Sequence, residues 1–233
     1  MKKLAIAITA VAAFTGSAIA ADMPVKARYI APVVTAYNWT GCYVGAGGGY
    51  GMYNQDVSGV GAGSGTSTTF GGRGWFGTGQ VGCDYQVTPS FVIGAFGDYD
   101  FGSIKGNLGI LNNNVDETLS WSWHAGGRVG WIALPNLLPF VSAGYTQAHF
   151  DQIDVAPGTF ISATTYGGWF IGSGYEYGLN FMPGLFWKSE YRFADYRAET
   201  VSGCDPLGCG PAFDSHKYVQ TIRSELVYRF NWH

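Results

Sequence analysis

From residue 117 to 133 the chain sorts its residues by parity. Leu119, Trp121, Trp123, Ala125, Gly127, Val129, Trp131 and Ala133 alternate with Ser120, Ser122, His124, Gly126, Arg128 and Gly130. The last segment repeats the pattern. Tyr218, Ile222, Leu226, Tyr228, Phe230 and Trp232 share one face, with Thr221, Arg223, Glu225 and Arg229 on the other. A period of two is that of an extended strand, whose successive side chains leave opposite sides of the backbone. No stretch beyond the N-terminus offers the 18 or so consecutive apolar residues of a membrane-spanning helix. A chain patterned in this way folds as strands with one apolar and one polar face.

Eight such segments are expected, at about 40–51, 73–86, 91–101, 117–133, 139–150, 165–178, 184–194 and 217–232. Their connections alternate in length. Those at 52–72, 102–116, 151–164 and 195–216 are long, whereas 87–90, 134–138 and 179–183 are short and carry Pro89, Pro135 and Pro183. Short turns on one side and long loops on the other are the rhythm of an up-and-down membrane barrel. The expected fold is therefore all-β, an eight-stranded antiparallel up-and-down transmembrane β-barrel. Composition agrees: 12% of residues are charged, 36 are glycine and the mean hydropathy is +0.06, against about 25% charged in an ordinary soluble domain.

Charge placement sharpens the reading. One face carries Asp84, Asp98, Asp100, Arg128, Glu176, Lys188, Glu190, Arg192, Arg223, Glu225 and Arg229. The other face of the same segments carries none, and most of the aromatics. A charge facing lipid at the bilayer midplane costs about 2–4 kcal/mol, so the charged face is expected to line a lumen. Glu190 and Arg192 are expected to pair with Arg223 and Glu225 on the next strand. An eight-stranded barrel is just wide enough to be filled by its own side chains, so a plugged lumen is expected rather than an open pore. A soluble lipocalin-like barrel, with apolar residues inward, is the competing arrangement.

Lys2 and Lys3 precede an apolar run from Leu4 to Phe14, and Ala18-Ile19-Ala20 forms a small-x-small site. Such a segment reads as a secretory signal peptide over 1–20, cleaved between Ala20 and Ala21. A periplasmic N-terminal segment is expected over 21–38 and the barrel over 39–233. The net charge of -3 gives no basis for nucleic-acid binding.

Trp39-Thr40-Gly41-Cys42-Tyr43-Val44-Gly45, followed by Gly47-Gly48-Gly49-Tyr50-Gly51, resembles the opening strand of the outer membrane immunogenic or opacity-like β-barrel family of Gram-negative bacteria. The Pro/Ala-rich stretch from Asp22 to Val34 is similar to that family's mature N-terminus. Ser224-Glu225-Leu226-Val227-Tyr228-Arg229-Phe230 resembles its closing strand. The resemblance implies an outer membrane barrel serving as an envelope protein, surface antigen or adhesin, and in some members a hemin binder. The chain departs from the family at Cys42, where an aromatic is usual, and in not ending on Phe. Tyr228, Phe230 and Trp232 would then form the signal read by the outer membrane assembly machinery, with His233 trailing.

Four cysteines in an exported chain invite disulfides. Cys204 and Cys209 enclose Asp205-Pro206-Leu207-Gly208, and Cys42 with Cys83 would share the lipid face of adjacent strands, a register that sets Tyr50 against Trp75. Free thiols are the alternative for each pair. Gly77-Thr78-Gly79-Gln80-Val81-Gly82 matches the dinucleotide pattern, with Asp98 and Asp100 about 20 residues on, but no helical periodicity follows it. The histidines His124, His149, His216 and His233 show no metal-ligand spacing. His149 and His216 lie near outer loops and are the pair to test for hemin. No cofactor, metal site or catalytic residue is expected. The expected partners are outer membrane lipid and lipopolysaccharide, the assembly machinery, and a host or surface ligand at the outer loops. A small porin or hemin-binding barrel is the alternative function, and a lipid-modifying enzyme with a surface Ser–His pair the next.

Overall fold

The computed structural model describes residues 37–59, 67–108 and 115–231. Ten strands are present: β1 (Gly41–Gly59), β2 (Ser67–Gln86), β3 (Phe91–Leu108), β4 (Val115–Trp131), β5 (Leu137–Phe150), β6 (Ile153–Ala156), β7 (Thr159–Ile161), β8 (Thr164–Gly178), β9 (Leu185–Asp205) and β10 (Gly208–Asn231). All pairings are antiparallel, and β10 pairs with both β9 and β1. The result is a closed ring of eight strands: β1 to β5, β8, β9 and β10. Closure satisfies every ladder and leaves no open edge, the condition for placing a sheet in lipid. The small β6–β7 hairpin lies outside the ring and joins β9 through Phe160↔Cys204 and Ile161↔Gly203.

Alternation fixes which face looks out. Val81, Phe91, Ile93, Val129, Ile171 and Leu226 are exposed on the outer surface, an apolar band that lipid covers. Trp75, Phe101 and Trp169 edge the band toward the long connections, and Tyr85, Trp131 and Phe230 edge it toward the short turns. The turns at the short end are tight. Thr88 accepts from the Phe91 amide, and Gly184 takes a positive φ of 82°, a conformation that costs glycine nothing. Inward, Gly126 leaves the space that the Phe170 ring occupies, since a Cβ there would meet the ring edge.

The strands run further than polarity alternation indicates. Much of the sequence expected as long loops at 52–72, 102–116 and 195–216 continues the ladders. Alternation is imposed by lipid against lumen, and it fades where a strand leaves the bilayer although hydrogen bonding does not. The expected phase also fails at one point. Leu119 is buried, not on the lipid face with Trp121, because a register shift between Leu119 and Trp121 swaps the two faces of β4. One extra residue in a strand inverts the parity of everything beyond it. The signal peptide at 1–20 with its Ala20–Ala21 junction, nearly all of the 21–38 segment, Trp232 and His233 lie outside the described residues.

Candidate functional site in the barrel lumen

Seven carboxylates (Asp84, Asp98, Asp100, Glu117, Glu176, Glu190, Glu225) and six cations (Arg128, Lys188, Arg192, Lys217, Arg223, Arg229) are buried in the described residues, with His124 among them. They fall into three tiers along the barrel axis.

The tier near the short turns is a four-membered ring drawn from four strands. Arg128 of β4 donates to both oxygens of Asp84 on β2, through Nε at 2.9 Å and through Nη2. Its Nη1 lies 3.1 Å from Glu176 Oε2 on β8. Arg229 of β10 closes the ring, 2.7 Å from Asp84 and 2.7 Å from Glu176. Tyr43, Trp39 and Phe186 pack around the Arg229 guanidinium at 5.0, 5.0 and 5.2 Å.

The middle tier crosses the lumen. Lys188 reaches Glu190 at 3.0 Å, Glu225 at 3.7 Å and the Gln80 side-chain carbonyl at 2.8 Å. Arg192 of β9 grips Glu190 and then spans to Asp98 of β3, each at 3.0 Å. Arg223 of β10 reaches Asp98 at 3.1 Å and Asp100 at 2.9 Å. Glu190 lies opposite Arg223 on the adjacent strand as expected, but the expected pairing of Arg192 with Glu225 is corrected. Arg192 lies opposite Thr221 rather than Glu225, and the far wall is close enough for both guanidinia to bond carboxylates there instead. Asp98, Asp100 and His124 could be read as ligands for a cation. His124 Nδ1 already sits 2.7 Å from Asp98, and Arg192 and Arg223 supply the positive charge that a metal would bring.

The outer tier was missed from sequence. Lys217 Nζ donates to Glu117 Oε1 at 2.6 Å and to Gln55 Oε1 at 2.7 Å, over the Phe150 ring at 4.0 Å. Lys217 shares parity with Arg223 and could have been found by extending that face from Thr221 through Val219. Glu117 could not, because the shift at Leu119 puts it on the wrong parity.

Chemically, the lumen holds its charges in mutual pairs and leaves little room between them. A void beside Phe76, Asp100, Arg192 and Tyr196 is about 10 Å³, room for about one water. His149 and His216 lie at the outer surface. His149 stacks on Trp121 with centroids 5.0 Å apart and bonds Thr165 at 2.8 Å. His216 bonds Asp195 at 2.8 Å and Tyr218 at 3.0 Å. Among the described residues no serine hydroxyl bonds a histidine ring. The Gly77–Gly82 stretch lies within β2, so it has no helix N-terminus to offer a pyrophosphate. Two disulfides join register partners, Cys42–Cys83 between β1 and β2 and Cys204–Cys209 across the β9–β10 hairpin. Tyr50 sits opposite Trp75, ring centroids 5.0 Å apart.

The chain is 29% identical, over 255 aligned residues, to the 31 kDa outer-membrane immunogenic protein of Brucella melitensis biotype 1. The alignment takes in 99% of this chain and 100% of the relative. It is a relative of the outer-membrane immunogenic proteins. The 31 kDa outer-membrane immunogenic protein of Brucella suis biovar 1 matches to the same extent. No protein-family model matches the chain. Among solved structures, the outer membrane protein OprG of Pseudomonas aeruginosa superposes with a TM-score of 0.51 at 14% identity, over 82% of this chain and 97% of OprG. That likeness concerns the fold alone. Similarity to the immunogenic proteins and the closed ring with its apolar outer band place the barrel in the outer membrane.

Proposed function

We propose that this barrel is a closed structural element of the outer membrane, its lumen plugged by ion pairs, that presents its long-loop end as a surface antigen and adhesive surface. The observation that carries this reading is the pair of guanidinia, Arg192 and Arg223, bonded to carboxylates on the opposite wall. An ion entering the lumen would have to displace those contacts inside a low-dielectric interior, where paired charges are held and unpaired ones are costly. In the same reading, residues 1–20 export the chain with cleavage at Ala20–Ala21, and the assembly machinery recognises Tyr228, Phe230 and Trp232. Lipopolysaccharide surrounds the outer rim, and a host or other surface ligand meets the loops. The barrel carries no catalytic group or cofactor of its own.

Planar-bilayer recording tests the closed lumen. Purified protein is expected to add no conductance steps above the bilayer baseline. Resolved, reproducible single-channel steps would replace the structural reading with a small porin. Display on a non-adherent bacterium tests adhesion: attachment to a cell monolayer is expected to rise with the intact barrel and to fall when the β9–β10 tip is shortened.

A further inference from the structure

Above the outer tier of charges the lumen widens into an apolar cup. Val115, Ile153 and Ile161 are buried together there, and Phe70, Val155, Val201 and Phe213 pack against them. The cup encloses a cavity of about 330 Å³, at the small end of the volumes that hold small-molecule ligands. Val57, Phe70, Ile153, Ile161, Val201 and Phe213 form its apolar wall, and Gln55, Glu117 and Tyr166 bring the polar atoms.

Glu117 gives the cavity its chemistry. The residue is 4% exposed. Its Oε1 accepts from Lys217, whereas Oε2 is buried with no donor among the described residues. The neighbouring polar atoms are already spoken for. Gln55 accepts from Lys217 and donates to Ser215 at 3.0 Å, and Tyr166 bonds the same Ser215 at 3.3 Å. A buried carboxylate oxygen without a donor is costly, and the apolar wall around it favours occupation by an apolar body. Because Lys217 balances the charge of Glu117, what is missing is a donor and not a second cation.

We propose that this cup is a binding site for a small, neutral, largely apolar molecule with one hydroxyl or N–H group. The donor bonds Glu117 Oε2 and the body packs against Phe70, Ile161, Val201 and Phe213. The ligand enters from the aqueous side past Asp151 and Ser162, both exposed on the rim. The site is separate from the middle-tier plug, so binding here requires no passage through the barrel.

Isoleucine methyl NMR of the full barrel in detergent micelles tests this with naphthol and with methoxynaphthalene, which has the same rings and no donor. Naphthol is expected to shift the Ile153 and Ile161 methyl signals saturably, with affinity about tenfold above that of methoxynaphthalene, the loss expected when a buried polar partner goes unmatched. Glu117→Gln is expected to shrink that preference severalfold. Ile161→Trp, which fills the cup, is expected to abolish the saturable shift; Val201→Trp serves in its place if that variant does not fold. Shifts that grow in proportion to added probe without saturating would reduce the result to micelle partitioning and overturn the site. Saturation that survives both filling variants would overturn it equally. Equal affinity for the two probes in the wild-type barrel would remove Glu117 from the proposal.

Discussion

Asp98 is held from three side chains at once, receiving Arg192, Arg223 and His124. Its position shows why the lumen tolerates so many charges: each buried carboxylate meets a cation, from another strand in every case but Glu190, which Lys188 and Arg192 meet along β9 itself. Removing one partner exposes the cost that the pairing offsets. Arg223→Met leaves Asp100 without its guanidinium and Asp98 with one fewer, and is expected to destabilise the barrel by about 3–5 kcal/mol. Urea unfolding in lipid vesicles would measure the loss. The triple variant Arg223→Met, Asp98→Asn, Asp100→Asn removes the orphaned charges along with the arginine and is expected to recover most of it. A triple variant as unstable as Arg223→Met would mean that side-chain packing, and not charge balance, sets the penalty.

At the scale of the element, each strand is a comparison between two environments. Val81 sits near the middle of the β2 outer face and is exposed there. Val81→Arg is expected to cost about 2–4 kcal/mol in a bilayer. Leu207→Arg, at the tip of the β9–β10 hairpin where the side chain is 99% exposed, is expected to change stability by less than about 0.5 kcal/mol. Equal costs at the two sites would deny that lipid covers the band. The same contrast explains what could be read from the sequence. Trp121, Trp123, Val129 and Trp131 reveal β4 because lipid and lumen demand opposite residues at every step. Two features escaped that signal. The extra residue between Leu119 and Trp121 inverts parity without changing composition. Beyond Tyr196 the β9 side chains from Arg197 to Thr200 are all exposed, so both faces accept polar residues and nothing in their order marks a strand. The third loop hides β6 and β7 for a related reason: at four and three residues they are too short for a period to show.

The barrel is a cylinder whose closure joins β10 to β1, so unfolding must break a continuous ring of ladders rather than fray an edge. Unheated protein in denaturing detergent is expected to run as a compact species and to shift on boiling, which a gel of paired samples would show. Absence of the shift, with the protein in the periplasmic soluble fraction, would mean that the apolar faces point inward. The architecture was legible because alternation marks the strands and the alternating lengths of their connections mark an up-and-down barrel. The cross-lumen partners were not, since parity says which way a side chain points and not how far the opposite wall lies. The length of β9 and β10 carries one more consequence. From Arg197 to Asp205 the hairpin adds about 30 Å of strand beyond Tyr196, the last buried residue of β9, with β7 paired alongside it and a disulfide clasping its end. It acts as a mast. A braced ribbon of that length carries Leu207 well clear of the barrel wall, within reach of bodies too large to touch that wall.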